Sequence, residues 1–217
     1  MIEFESFNAR PFFPTFAWVI DLKPEAYEPL NEQILADLNA LTAPRPKIRP
    51  GQNWQTEQNL HEFKEFQTLV EIFMAASKRV LDLYEIEYDA VQITGCWANM
   101  NPKGAFHMPH SHPNNYLSGI YYAQAQPGAD TVSFHDPRQQ PEIIAPRVKS
   151  GNIYNTNLQS LSIKPGRLVI FPAWFIHSVP ANTSDQIRIS ISFNLMFSSY
   201  VETMSRPKWS GIPLRRK

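Results

Sequence analysis

Apolar residues change their spacing near Glu85, and the change divides the chain into a helical first part and a strand-rich second part. Phe12-Phe13-Pro14-Thr15-Phe16-Ala17-Trp18-Val19-Ile20-Asp21-Leu22 predicts an early strand, and Pro14, which has no N–H for a ladder, predicts a sheet edge. Pro29 predicts the opening of a helix of about a dozen residues, because proline is tolerated in a first helical turn. Leu30, Ile34, Leu38 and Leu41 recur at helical spacing along it, and Pro44-Arg45-Pro46 closes it. A longer helix is predicted from Asn59 to Tyr84. Its stripe is Phe63, Phe66, Val70, Phe73, Ser77, Val80, Leu81 and Tyr84, with Lys64, Glu65, Glu71, Lys78 and Asp82 facing away. The stripe reads as core rather than as a cofactor site.

After Glu85, short strands are predicted at 88–98, 117–124, 130–135, 150–155, 159–163, 167–172 and 186–198, divided by Pro, Gly, Asn and Asp. Helices followed by short strands predict a mainly β fold, a sandwich or barrel with N-terminal helices on one side. Residues 1–217 are expected to form one domain: helical support over 29–84, a barrel over 88–198 and a C-terminal tail over 199–217. Such a barrel has a mouth where a ligand can sit.

Charge narrows the partners. Lys and Arg number 20, as do Asp and Glu, so no overall positive field exists to hold a polyanion, which argues against nucleic acid. The basic run Leu214-Arg215-Arg216-Lys217 reads as a solvated terminus. Cys96 is the only cysteine, which excludes an intrachain disulfide. Met1-Ile2-Glu3-Phe4-Glu5 is acidic where a signal peptide is basic, and no run approaches the ~18 apolar residues that span a bilayer. A cytoplasmic protein that engages no membrane is expected. The 19 prolines fall among turns and form no low-complexity tract.

The chemistry concentrates in a few polar residues of the second part. His110 and His112 stand two apart, so an extended backbone points both to one side, and His177 closes the apolar run from Arg167. Three converging imidazoles make one face of a metal coordination sphere, and imidazoles suit iron, zinc, copper and nickel. Loop histidines beside Pro109 and Pro113 are the plainer reading of the pair, but His177 at the end of an apolar strand needs a partner. His107 is the alternative member of the set; His61 reads as helical surface and His135 as a strand end. On the last strand, Arg188, Ser190 and Ser192 alternate with Ile187, Ile189 and Ile191, which sets a polar face towards the barrel interior. An arginine there needs a buried anion, and its planar fork suits a carboxylate. Tyr122 can add a phenol to the same anion.

Four segments in this order, Pro109-His110-Ser111-His112-Pro113, Leu117-Ser118-Gly119-Ile120-Tyr121-Tyr122, Phe171-Pro172 with His177, and Arg188-Ile189-Ser190-Ile191-Ser192-Phe193-Asn194, resemble a branch of the 2-oxoglutarate and Fe(II)-dependent oxygenases. Trp54-Gln55 is similar to that branch too, and the likeness runs from Phe12 to Asn194. It implies a double-stranded β-helix (jelly-roll, cupin-like) with helical support, Fe(II) and 2-oxoglutarate as cofactors, and a dioxygenase that hydroxylates a substrate with release of succinate and CO2. By the family pattern His110 and His177 look like iron ligands. Arg188 looks like the partner of the distal 2-oxoglutarate carboxylate, and Ser190 and Tyr122 match residues that assist it.

The departure is at His112, where the wider superfamily has aspartate or glutamate. His112 is expected as the third ligand, with Asp130 or Asp136 as carboxylate alternatives. Trp97, Asn99, Asn101 and Asn115 are candidate substrate contacts. Two other readings use the same residues. Gly104 with His110, and Gly166 with Pro172 and His177, are similar to cupin motifs, which implies a three-histidine dioxygenase without 2-oxoglutarate. A non-catalytic metal-binding jelly-roll is the other. The substrate, a small molecule or a peptide side chain, and the oligomeric state are open at this level.

Overall fold

A computed structural model describes residues 3–43, 48–138, 143–144 and 146–201. Helix α1 (Pro24–Leu41) starts earlier than the sequence pattern predicts, because Pro24 and not Pro29 occupies its first turn. Pro29 lies inside and forfeits one helical hydrogen bond. Ile34, Leu38 and Leu41 are buried as predicted, and Leu30 is half-buried. The closing Pro44-Arg45-Pro46 and the tail beyond Val201, with its basic end, lie outside the described residues.

The predicted second helix is divided. Phe63 is extended, with φ −92° and ψ 135°, so Leu60–Glu62 and Lys64–Phe66 form separate 3-10 turns before α2 (Gln67–Leu83). Phe63, Phe66, Phe73, Ser77, Val80 and Leu81 are buried; Leu69 takes the place expected for Val70, and Tyr84 is exposed against Trp18.

The strands are β1 (Trp18–Asp21), β2 (Trp54–Gln55), β3 (Val91–Asn101), β4 (His107–His110), β5 (Leu117–Gln124), β6 (Thr131–His135), β7 (Leu158–Ser162), β8 (Arg167–Pro172), β9 (His177–Val179) and β10 (Arg188–Phe197). Two antiparallel sheets, ordered β1-β8-β5-β10-β3-β2 and β4-β9-β6-β7, make the jelly-roll. β1 is an edge strand, as Pro14 suggested, although only Trp18–Asp21 of the predicted run forms it. No strand forms at 150–155. Asn152 Oδ1 accepts from Tyr154 N at 2.8 Å and Asn155 Oδ1 from Asn152 N at 2.7 Å, side-chain bonds that close turns instead of ladders.

Alternation along β5 and β10 separates two cores. Tyr121, Ile189, Ile191 and Phe193 face the helices and pack with Leu38, Phe66 and Phe73, while Ile120, Tyr122, Val132, Phe134, Val169 and Phe171 fill the space between the sheets. Phe193 stacks on Phe73 at 4.2 Å, and this is possible because residue 119 is glycine. A Cβ at Gly119 would lie 2.2 Å from Phe193 Cε1. Gly119→Ala is therefore expected to cost about 1–3 kcal/mol, read from the urea midpoint, and Phe193→Leu should recover part of that loss. An additive double mutant would contradict the contact.

Candidate active site

Strand β4 is an edge, so Pro109 removes no needed ladder bond. Its pairing with β9 takes three steps from His107 to His110 against two from Val179 to His177, a bulge with one extra residue. Residues three apart face opposite sides of a regular strand; the extra residue returns His107 and His110 to one side. His112 lies just past the strand, where its N–H donates to Ala173 O at 2.8 Å and ties the segment to the turn after β8. His177 opens β9 directly across from His110.

Among the described residues, His110, His112 and His177 form a group whose ligand nitrogens all lie within 4.8 Å of one another. The His110 and His177 rings are 4.3 Å apart, and those of His112 and His177 5.2 Å. His110 Nδ1 contacts Met108 O at 2.7 Å and His177 Nδ1 contacts Phe175 O at 3.1 Å. A carbonyl only accepts, so both Nδ1 atoms carry the proton and both Nε2 lone pairs are left for a metal. Burial, reinforced by His110, pushes His112 down to about 4 and His177 down to about 3. Both are then neutral near pH 7, as metal ligation requires.

His107 is excluded from the triad by its own partner. Asn101 Nδ2 lies 3.0 Å from His107 Nε2 and donates also to Asn53 Oδ1 at 2.8 Å, while Asn101 Oδ1 accepts from Arg188 Nη2 at 3.0 Å. Asn53 in turn donates to Phe106 O. Arg188 is buried and held by this one amide; among the described residues its Nη1 has no partner, and neither has the buried Tyr122 hydroxyl. Burial lowers the Arg188 pKa and raises that of Tyr122. An orphaned guanidinium nitrogen and an orphaned phenol facing one cavity are the complement of a carboxylate.

The cavity, about 540 Å³, is ordered by the sheet register. Asn101 lies across from Arg188; Gln55, Asn99, Ser190 and Tyr122 form a second row; Trp97, Ser192 and Ile120 form a third. Of the expected contacts, Trp97, Asn99 and Asn101 line the cavity but Asn115 does not: it bonds Thr94 Oγ1 at 2.5 Å and Pro113 O at 3.0 Å. Asp130 and Asp136 also lie outside the lining, and Asp136 pairs with Arg138 at 2.6 Å. His61 is half-buried in a 3-10 turn, not on a helical surface, and His135 ends β6 with Nε2 2.8 Å from Ser178 Oγ. Gln58, Asn53, Phe106 and Met108 line the cavity without any signal in the sequence pattern, since each sits in a loop or an irregular strand.

The buried imidazoles carry a stability prediction. His107, pushed to about 4 by burial, joins His112 and His177 in staying neutral in the fold, while the unfolded chain takes up protons below about 6.5. The unfolded state then binds more protons, so stability is full above pH 6.5 and falls as pH drops towards 4. Urea midpoints of metal-free protein between pH 7.5 and 4.5 would show it; a flat profile would contradict it.

Fold and cavity together define a jelly-roll in which three converging imidazoles that could hold a metal ion share a cavity with a buried arginine. Residues 95–194 match the family model described as "Putative 2OG-Fe(II) oxygenase". This segment, which carries the three imidazoles and Arg188, is similar to the 2-oxoglutarate and Fe(II)-dependent oxygenases. No curated protein matches the sequence. Solved structures share the fold. The α-ketoglutarate-dependent carbocyclase SnoK from nogalamycin biosynthesis aligns with TM-score 0.62 at 13% identity over 91% of this chain and 90% of its own. HygX from Streptomyces hygroscopicus, with nickel and 2-oxoglutarate bound, gives 0.60 at 11% over 93% of each. A Pseudomonas putida prolyl-4-hydroxylase gives 0.53 at 13% over 84% and 93%.

Proposed function

We propose that this protein hydroxylates a C–H bond of its substrate, with His110, His112 and His177 as the Fe(II) ligands. Arg188, with Ser190 and Tyr122, receives the distal carboxylate of 2-oxoglutarate. The observation that carries this reading is the buried Arg188 whose Nη1 lacks a partner, beside an equally unpartnered Tyr122 hydroxyl, in the cavity of the imidazole group. A three-histidine cupin without a co-substrate gives that buried cation no task.

Bound here, Fe(II) and 2-oxoglutarate supply O2 activation: one oxygen atom enters the substrate C–H bond, the other enters succinate, and CO2 leaves. The chain positions them. Met108 O and Phe175 O fix two imidazole tautomers. Asn101 aims the guanidinium, and the same side chain holds His107 away from the metal-binding group. Ile120, Val179 and the second core behind Tyr122 give the cavity an apolar wall, which strengthens the charge contacts beside it. No described helix is long and apolar enough to cross a membrane. The single cysteine, buried and unpaired, fits a cytoplasmic setting.

The test is anaerobic titration of Fe(II)-loaded protein with 2-oxoglutarate, followed by visible absorption. A weak metal-to-ligand charge-transfer band is expected, reduced in Arg188→Ala. Iron bound without a band would overturn the co-substrate reading and favour the three-histidine cupin.

A further inference from the structure

The cavity is unusual in what it lacks. Among the described residues no Asp, Glu or Lys lines it, and its one permanent charge is Arg188. A substrate carboxylate or phosphate would compete with 2-oxoglutarate for Arg188 and the metal. A substrate ammonium would find no counter-ion, and an unpaired charge is costly to desolvate. Charged substrates are therefore disfavoured in both signs.

What the cavity offers instead is carboxamide. Gln55 and Gln58 line the cavity half-buried, and among the described residues neither side-chain amide has a hydrogen-bond partner. Asn99 donates to Ser192 Oγ at 3.0 Å and leaves its Oδ1 without a partner. Each free amide presents a donor and an acceptor, the pairing that a hydroxyl satisfies from both sides. Trp97 lies in the row beside them, with its ring 5.8 Å from that of His112. Its flat apolar face suits the C–H face of a saturated ring standing next to the metal-binding group. The volume, about 540 Å³, is that of a small-molecule site.

We propose that the substrate is an uncharged, polyhydroxylated small molecule, bound by Gln55, Gln58 and Asn99 with one ring face on Trp97. This rests on the oxygenase reading above, and the test keeps the two apart. Full-length protein loaded with Ni(II) is titrated first with 2-oxoglutarate and then, without turnover, with three rings that differ at one carbon. The rings are methyl glucoside, its 6-carboxylate and its 6-amino counterpart. Tryptophan fluorescence reports binding, and Trp97→Phe serves as the blank.

The expected result is saturation by the uncharged ring at least about tenfold tighter than by either charged one, a discrimination that a hydrogen-bonding site readily reaches. Gln58→Glu, which supplies a counter-ion, should reverse the preference towards the 6-amino ring by a similar factor. Equal or tighter binding of a charged ring, no binding of any ring, or saturation by N-acetylglycinamide in place of the glucoside would overturn the proposal. Failure of the first titration, with no 2-oxoglutarate bound, would instead overturn the co-substrate reading.

Discussion

Arg188→Ala is expected to weaken 2-oxoglutarate binding by about 2–5 kcal/mol, roughly thirty- to several-thousand-fold in dissociation constant. The magnitude follows from burial. Arg188 is 2% exposed, and its protein contacts leave Nη1 unsatisfied, so a carboxylate bound there meets a charge already stripped of water. Arg188→Lys keeps the charge but loses the planar fork, and should fall between alanine and the native residue. Asn101→Ala leaves the guanidinium but removes the amide that aims it, with a smaller expected loss. Stability should move the other way. A buried, half-satisfied cation is a burden on the ligand-free fold, so Arg188→Met is expected to leave the apo protein as stable as the native or more so. Calorimetric titration with 2-oxoglutarate, set beside thermal unfolding without it, separates the two effects. An unfolded Arg188→Met would mark the arginine as structural.

His177→Ala is expected to lower Fe(II) affinity by more than about a hundredfold, beyond the 10–100-fold typical of changes outside the ligand shell. The ring is 2% exposed, lies 4.3 Å from His110 and 4.6 Å from Phe171, and opens the strand that pairs with β4. No other described side chain is placed to replace it, because His107 is engaged by Asn101. His107→Ala should accordingly retain metal. His112→Asp is the informative companion: a carboxylate also ligates Fe(II), so binding should persist with the site one unit less positive. If His112→Asp and His112→Ala both bind iron as the native protein does, His112 is not a ligand. Dialysis against a chelator with metal analysis measures each case.

Local rules explain what was legible beforehand. The period of two along Arg188-Ile189-Ser190-Ile191-Ser192 is a property of extended backbone, so the polar face of β10 and its apolar counterpart could be assigned without a fold. The same holds for β5 and β8, whose predicted limits match, and for the helical face of Ile34, Leu38 and Leu41. The three histidines, Arg188 and Tyr122 stood out because each is a polar group on an otherwise apolar strand or in a proline-bounded turn.

Distance decided the rest. Strands β4 and β9 have four and three residues, too few for any periodicity, and they are strands only because each pairs with the other. That pairing, and the extra residue in it, determines which imidazoles converge. His107 and His110 look equivalent in sequence; Asn101 and Arg188, far along the chain, assign one to a hydrogen-bond chain and leave the other for metal. The helix at Phe63 breaks, and Gln55 and Gln58 enter the cavity, through packing of the N-terminal segment against β3. By itself the sequence determined the elements and the inventory of reactive groups, because both depend on neighbours along the chain. Tertiary structure alone determined which groups meet, because convergence depends on register and burial between residues that the sequence holds far apart.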